Sequence, residues 1–394
     1  MTANKHWVLP QGIEEALPEQ AARLESLRRE LLDMYSSWGY ELVIPPFIDH
    51  IESLLTGTGH ELDLQTFKIV DQLSGRTLGI RADMTPQVAR IDAHQLGRDV
   101  PTRLCYIGTV LHTRSDCFGS SRSPLQVGAE LYGHAGVESD VEILGLMLNS
   151  FGVAGVKGVY LDLGNVDVFR TLARQAKLDT ETEGRLFEML QRKAVTEIGE
   201  LLGSLRLRKP LREMLTSLAT LNGDIRVLKK ARVVLEKADA SVHAAIDYLQ
   251  QTASAIAKEF PDVPLNIDLA ELDGYHYQTG VVFAAFVPQL GQAIARGGRY
   301  DNIGKLFGRE RAATGFSTDL KLLSNLGMRR YKSPDRVYAP AKKDKTLNKA
   351  IAELRSVGMC VVRQLAGQDE DAKAMGCNRQ LYKGKGAWVL RDVK

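Results

Sequence analysis

At 394 residues, 44% hydrophobic and 25% charged, the chain has the composition of a soluble globular protein long enough for two or three domains. A formal net charge of +3, from 51 basic and 48 acidic side chains, is too balanced to identify a nucleic-acid binder, which needs a concentrated basic surface. The N-terminus lacks an apolar signal core and no stretch is long enough to span a bilayer, so the cytoplasm is the expected address.

The first element is a helix opening at Pro18, a residue suited to a first turn. Leu24, Leu27, Leu31, Met34, Tyr35 and Trp38 recur at three- and four-residue steps and form one apolar stripe, read as core or dimer packing. Gly39 ends it. "YELVIPPFID" (40–49) then reads as a strand running into Pro45 and Pro46, which cannot donate to a central ladder. Strands are expected at 66–70 and 77–81, followed by a helix over 85–96 with Thr85 as cap and Pro86 in its first turn. Two further strands (102–113 and 123–133) flank the polar stretch "RSDCFGSSR". A helix over 137–151 and a strand over 158–166 follow.

From about residue 167 to 260 the pattern turns almost wholly helical, an insertion. Strands resume at 264–272, 278–287 and 291–298, and a helix over 319–327 closes the segment. "YKSPD" (331–335) reads as a linker. Beyond it the order is β-α-β-α-β, with "EDAKAMGC" (370–377) as the second helix. The fold class expected is α+β, a mainly antiparallel mixed sheet flanked by helices, with a first domain over 1–330 and a small C-terminal α/β domain over 331–394. That last stretch holds 14 Lys/Arg against 7 Asp/Glu, a net of +7 that leaves the remainder at −4. A solvated charged face, contact with an acidic partner and a residual RNA role all fit this excess.

No cofactor or metal site is expected. Cys105, Cys117, Cys360 and Cys377 form no CxxC pair and no zinc-like cluster, and read as incidental thiols of a reducing compartment. His60, Glu61 and Asp63 read as an exposed solvated loop rather than a metal site. "ARGGRYDNIGKLFG" lacks the spacing and Lys-Ser/Thr ending of a phosphate loop and reads as a strand turn in a pocket wall.

Six stretches, in order, carry a resemblance. "WGYELVIPPFID" is similar to motif 1 of class II aminoacyl-tRNA synthetases, a dimer-interface element. "GIRADMTPQVAR" resembles the segment that opens the amino-acid pocket of histidyl-tRNA synthetases. "YIGTVLHTRSDCFGSSRSPLQVGAELYG" matches that family's motif 2, "DGYHYQTGVVF" its substrate-binding segment, "ARGGRYDNI" its Gly-rich strand and turn, and "ATGFSTDLKLL" its motif 3. Together they span roughly residues 10–325.

The departures are informative. Activation of an amino acid by ATP builds charge on phosphoryl oxygens, which fixed guanidinium groups stabilise. By the resemblance, His112 and Arg114 stand where the family has an Arg and a Glu, Asp273 where it has a second catalytic Arg, and Leu322 where motif 3 has its Arg. Like charges about 4 Å apart repel by about 4 kcal/mol at a surface-like dielectric, so a carboxylate at 273 opposes a phosphate. No catalytic residue is therefore expected. The amino-acid side is better kept: Asp83, Thr85, Gln126, Glu130, Tyr277 and Tyr300 fall on positions that the resemblance implies would bind free histidine. Asp83 is one methylene shorter than the family's Glu.

A histidyl-tRNA synthetase-like chain without these arginines, and with a shortened C-terminal domain, resembles the regulatory subunits of short-form ATP phosphoribosyltransferase. That resemblance implies a non-catalytic subunit in the first step of histidine biosynthesis. It would activate a separate short catalytic subunit, respond to histidine as inhibitor, and self-dimerise within a hetero-octamer, with tRNA not a partner. Two alternatives stay open: an active synthetase using Arg81, Arg114, Arg122 or Arg296 in place of the lost arginines, and a free-standing tRNA or histidine sensor.

Overall fold

The computed structural model describes residues 7–56, 60–115, 121–271, 274, 275, 277–329, 331, 335–384 and 386–393, with the backbone alone at 60 and 61. It forms two compact units, Met1–Arg329 and Arg330–Lys394. In chain order the strands of the first unit are β1 (Glu41–Leu42), β2 (Ile48–His50), β3 (Phe67–Val70), β4 (Thr77–Ile80), β5 (Thr102–Thr109) and β6 (Leu125–Tyr132). They continue as β7 (Tyr160–Asn165), β8 (Asn222–Gly223), β9 (Leu265–Asp268), β10 (Val281–Phe286), β11 (Ala295–Arg299) and β12 (Ala313–Asp319). Nine of them make one sheet in the order β1-β5-β6-β12-β11-β10-β7-β9-β8, while β2-β4-β3 form a small separate sheet. In the large sheet β1·β5 and β7·β9 are parallel and the other pairs antiparallel. The mainly antiparallel α+β architecture expected from the sequence is the one present.

The N-terminal helix runs Pro18–Ser37, and Gly39 takes the left-handed φ of +84° that ends it. Its stripe packs on the Val137–Ala154 helix, where the Tyr35 hydroxyl meets Ser150 Oγ at 3.0 Å in the core. "YELVIPPFID" is not one strand. β1 stops at Leu42 and β2 belongs to the other sheet. The two prolines between them offer carbonyls but no N–H; Arg81 Nη1 donates to Pro45 O at 2.7 Å and Gln87 Nε2 to Pro46 O at 3.0 Å. The 85–96 helix begins at Thr85, but at Ile91 it widens to a π turn through Leu96, where Gly97 N reaches back to Asp92 O at 2.9 Å.

The insertion is helical except for β8, which adds two residues to the edge of the large sheet. Buried groups bind it to the rest of its unit. Asp140 of the Val137–Ala154 helix accepts from Arg299 of β11 (3.0 Å) and from Tyr248 of the inserted Ala240–Glu259 helix (2.6 Å). Lys193 bonds the Asp268 carboxylate of β9. Residues 60–65, expected as a loop, form a short helix, whose Asp63 pairs with Lys68 at 2.7 Å.

The second unit has β13 (Arg336–Ala339), β14 (Cys360–Arg363), β15 (Arg379–Lys383) and β16 (Trp388–Asp392), ordered β14-β13-β15-β16, with one helix, Lys345–Ser356. "EDAKAMGC" is not the helix expected: it runs as turns up to Gly376, whose φ is +66°. β15 was not expected, because charged and polar residues dominate "RQLYK" and a single Leu381 faces the core. Cys105 and Cys377 are buried and Cys360 is exposed, all three as free thiols; Cys117 lies outside the described residues. Among the described residues no helix is long and apolar enough to cross a membrane, and no cluster of metal-binding side chains forms.

Candidate functional site

A cleft of about 330 Å³ opens at the ends of β6, β11 and β12, lined among others by Asp83, His112, Gln126, Arg296, Asp319 and Leu322. Asp83 sits in the turn between β4 and the Thr85–Arg90 helix. Its Oδ1 accepts from Gln126 Nε2 at 2.7 Å and from both the backbone N and Oγ1 of Thr85, each at 3.1 Å. The Gln126 amide is fixed in turn, because its oxygen accepts from Met84 N at 3.0 Å.

Below this layer the polar chain continues into the core. Thr85 Oγ1 lies 3.2 Å from the Tyr106 hydroxyl, which is 2.8 Å from Glu130 Oε1; the Tyr300 hydroxyl donates to Glu130 Oε2. Glu130 is 1% exposed. Burial pushes its carboxyl up to about 8, opposed by the hydrogen bonds from Tyr300 and Tyr106 and reinforced by the nearby charge of Asp83.

Tyr277 stacks on Tyr300 with ring centroids 4.9 Å apart. Its hydroxyl is buried and has no hydrogen-bond partner among the described residues. Such a group costs about 1–3 kcal/mol unless something donates to it or accepts from it.

Two glycines make room for this network. Gly315 lies opposite Glu130 across β12 and β6, and a Cβ there would stand 1.6 Å from Glu130 Oε2. Gly128 lies opposite Tyr106, and its Cβ would stand 2.5 Å from the tyrosine hydroxyl.

Asp83, Thr85, Gln126, Glu130 and Tyr300 thus form one hydrogen-bonded assembly, with Tyr277 against it. Of the positions expected to have lost catalytic residues, His112 and Leu322 line the cleft. His112 Nε2 donates to Ala82 O at 2.9 Å. Arg114 is exposed and outside the lining, and Asp273 lies outside the described residues. Among the described lining residues one guanidinium, Arg296, stands with two carboxylates, Asp83 and Asp319. Asp319 caps the Leu320–Leu326 helix, accepting from Lys321 N and Leu125 N at 3.0 Å, and burial raises its affinity for a proton. Arg81 and Arg122 are spent on main-chain carbonyls: Arg81 on Pro45 and Thr109, Arg122 on His112 and Gln11. Sequence reasoning passed over Tyr106 and Asp319. The available signal was Tyr106 facing Gly128, a bulky residue paired with none.

Residues 12–323 match the family described as histidyl-tRNA synthetase, and residues 334–391 the ATP phosphoribosyltransferase subunit HisZ C-terminal domain. ATP phosphoribosyltransferase regulatory subunits of Thioalkalivibrio sulfidiphilus (58% identical, covering 100% of both chains) and Methylococcus capsulatus (55%, covering 99% of this chain and 97% of the relative) are similar along the whole length. A crystal structure described as an ATP phosphoribosyltransferase regulatory subunit/histidyl-tRNA synthetase from Bacillus halodurans superimposes with a TM-score of 0.82 at 25% identity, over 95% of this chain and 97% of that one. A histidyl-tRNA synthetase from Nostoc, at 16% identity, shares the fold with a TM-score of 0.78, over 98% of this chain and 94% of that one. A synthetase scaffold, a cleft poor in phosphate-binding cations and the HisZ-type C-terminal unit converge: the chain belongs to the ATP phosphoribosyltransferase regulatory subunits, a non-catalytic branch of the histidyl-tRNA synthetase fold with a regulatory role in histidine biosynthesis.

Proposed function

We propose that this chain binds free histidine in the Asp83–Gln126 cleft and passes its occupancy to a short-form ATP phosphoribosyltransferase catalytic subunit, which it activates when the cleft is empty. The observation that carries the reading is the Asp83–Thr85–Tyr106–Glu130–Tyr300 network. It is a preorganised set of polar groups with a carboxylate at its mouth for an ammonium and an orphaned Tyr277 hydroxyl beside it. Asp83, Thr85, Gln126, Glu130, Tyr277 and Tyr300 are the proposed contacts.

The competing reading, a synthetase with displaced arginines, is poorly supported. Of the four arginines it would draw on, Arg81 and Arg122 are committed to carbonyls, Arg114 stands outside the lining, and Arg296 lines the cleft beside Asp83 and Asp319, which a nucleotide would also meet.

Self-association within a hetero-octamer is part of the proposal. The small sheet supports the dimer. Its register places Ile48, Ile80, Phe67, Leu78 and Ile69 on one face, and the helix over Ile51–Leu55 covers the other, at Gly79. Ile48 and Ile69 are 44% and 37% exposed, and Ile44 nearby is 82% exposed. A cytoplasmic location fits the same reading.

Co-purification with the short catalytic subunit tests it. The complex is expected to turn over faster than the catalytic subunit alone, and histidine to withdraw that gain. The purified chain alone is expected to give no histidine-dependent pyrophosphate exchange. A catalytic subunit indifferent to this chain, or exchange by the chain alone, overturns the proposal.

A further inference from the structure

The cleft and the apolar face of the small sheet are joined by one element. The helix that begins at Thr85, two residues from Asp83, points its polar side chains at the inner face of the small sheet. Arg90 Nη2 donates to Asp49 Oδ2 at 2.6 Å, and Gln87 Nε2 reaches the same oxygen at 3.4 Å. Asp49 lies on β2 between Ile48 and His50, directly opposite Gly79 of β4, so its carboxylate lies on the face of the sheet opposite the one that presents the exposed Ile48 and Ile69. The Asp49 side chain is 10% exposed and that of Arg90 31%, a half-buried pair that ties the helix to the small sheet.

The same helix is irregular beyond Arg90. Its π turn carries Asp92, which pairs with Arg311 at 2.9 Å with both side chains buried, and Arg311 also binds Val100 O at 2.6 Å. One residue after Ala312, β12 begins, the strand whose Gly315 clears space for Glu130. The helix is therefore tied at its start to the cleft network, through Thr85 and Asp83, and at its end to the residues that lead into β12. In its middle the side-chain oxygen of Gln87 is buried with no partner among the described residues. A π turn stores one extra residue in the helical path, and such turns recur at functional sites.

We propose that Asp49 is the joint through which the Thr85–Leu96 helix transmits the occupancy of the cleft to the apolar face of the small sheet, with Arg90 and Gln87 as the transmitting side chains. This rests on the histidine reading above and adds its route. A ligand at Asp83 takes a share of the carboxylate now held by Thr85, the first residue of the helix. The helix responds in the register of its π turn, and Asp49 carries the change to β2. Coupling of this kind needs a differential affinity between two arrangements, not a rigid wire.

The test uses the complex of this chain with the short catalytic subunit. It reads histidine affinity of the regulatory chain by calorimetry beside histidine inhibition of the complex. The double variant Asp49→Ala, Arg90→Met removes the pair without leaving a buried charge alone, and Arg90→Lys weakens it while keeping the cation. The double variant is expected to bind histidine within about threefold of wild type, yet to need at least about tenfold more histidine for half-inhibition, with Arg90→Lys between the two. Inhibition that follows wild type in both variants overturns the proposal. So does a loss of affinity equal to the loss of inhibition, which makes the pair a mere support of the cleft. If the double variant does not fold, Arg90→Lys alone decides between the same outcomes. A wild-type chain that neither binds histidine nor answers to it sinks the parent reading, and this inference with it, before any variant is made.

Discussion

Glu130 concentrates the chemistry of the site at the scale of single residues. Its carboxyl is held up to about 8 against an ordinary 4.5 because it lies in the core. Between those values the folded chain keeps a proton at Glu130 that the unfolded chain releases, so stability from this group falls as pH rises across that window. Glu130→Gln keeps the shape and removes the titration. The melting temperature of wild type is expected to drop relative to this variant by several degrees between about pH 5 and pH 8, read by calorimetric scans. A constant difference would mean that Glu130 is charged throughout. Gly315→Ala makes a steric counterpart. With its Cβ set against Glu130 Oε2, it is expected to cost about 1–3 kcal/mol and to abolish histidine binding, checked by denaturant unfolding and titration. At this scale the motifs named Asp83, Thr85, Gln126, Glu130, Tyr277 and Tyr300, residues far apart in the chain that the fold gathers in one place. Tyr106 was readable only by setting β5 against β6, which places it opposite Gly128.

Elements with a strong period were readable and those without were not. The Pro18–Ser37 and Val137–Ala154 helices carry full apolar stripes and stand where the three-to-four-residue spacing put them. β12 escaped because "ATGFSTD" alternates small and polar residues, one of which, Gly315, is there for a neighbour's sake. "EDAKAMGC" misled because its composition favours a helix while its length and Gly376 do not. The small sheet is the element with an open apolar face. The double substitution Ile48→Asp, Ile69→Asp charges that face without touching the cleft. It is expected to convert a dimer to a monomer in sedimentation velocity while leaving histidine affinity of the chain within about twofold. A dimer that survives both charges would place the interface elsewhere.

Taken as a molecule, the chain keeps an enzyme's architecture, and among the described lining residues of its cleft a single guanidinium, Arg296, stands with two carboxylates. The nine-stranded sheet, the insertion locked on by Asp140 and Lys193, and the polar network under the cleft all persist. Among the described lining residues, Leu322 and His112 now stand where the synthetase resemblance implies guanidinium groups. The basic side chains of the second unit are partly engaged within it: Lys383 pairs with Asp344 at 2.7 Å, Arg363 binds Lys342 O and Asn348, and Arg391 lies 4.4 Å over the Tyr382 ring. These contacts hold the cations in place and leave the net charge of the stretch unchanged. The most direct measurement is a histidine titration of the reconstituted regulatory–catalytic complex, comparing wild type with Asp83→Asn. Wild type should lose its activation as histidine is added, and Asp83→Asn should stay active at histidine concentrations about tenfold higher, because the ammonium has lost its carboxylate. Two superimposable inhibition curves would contradict the assignment of this cleft as the effector site.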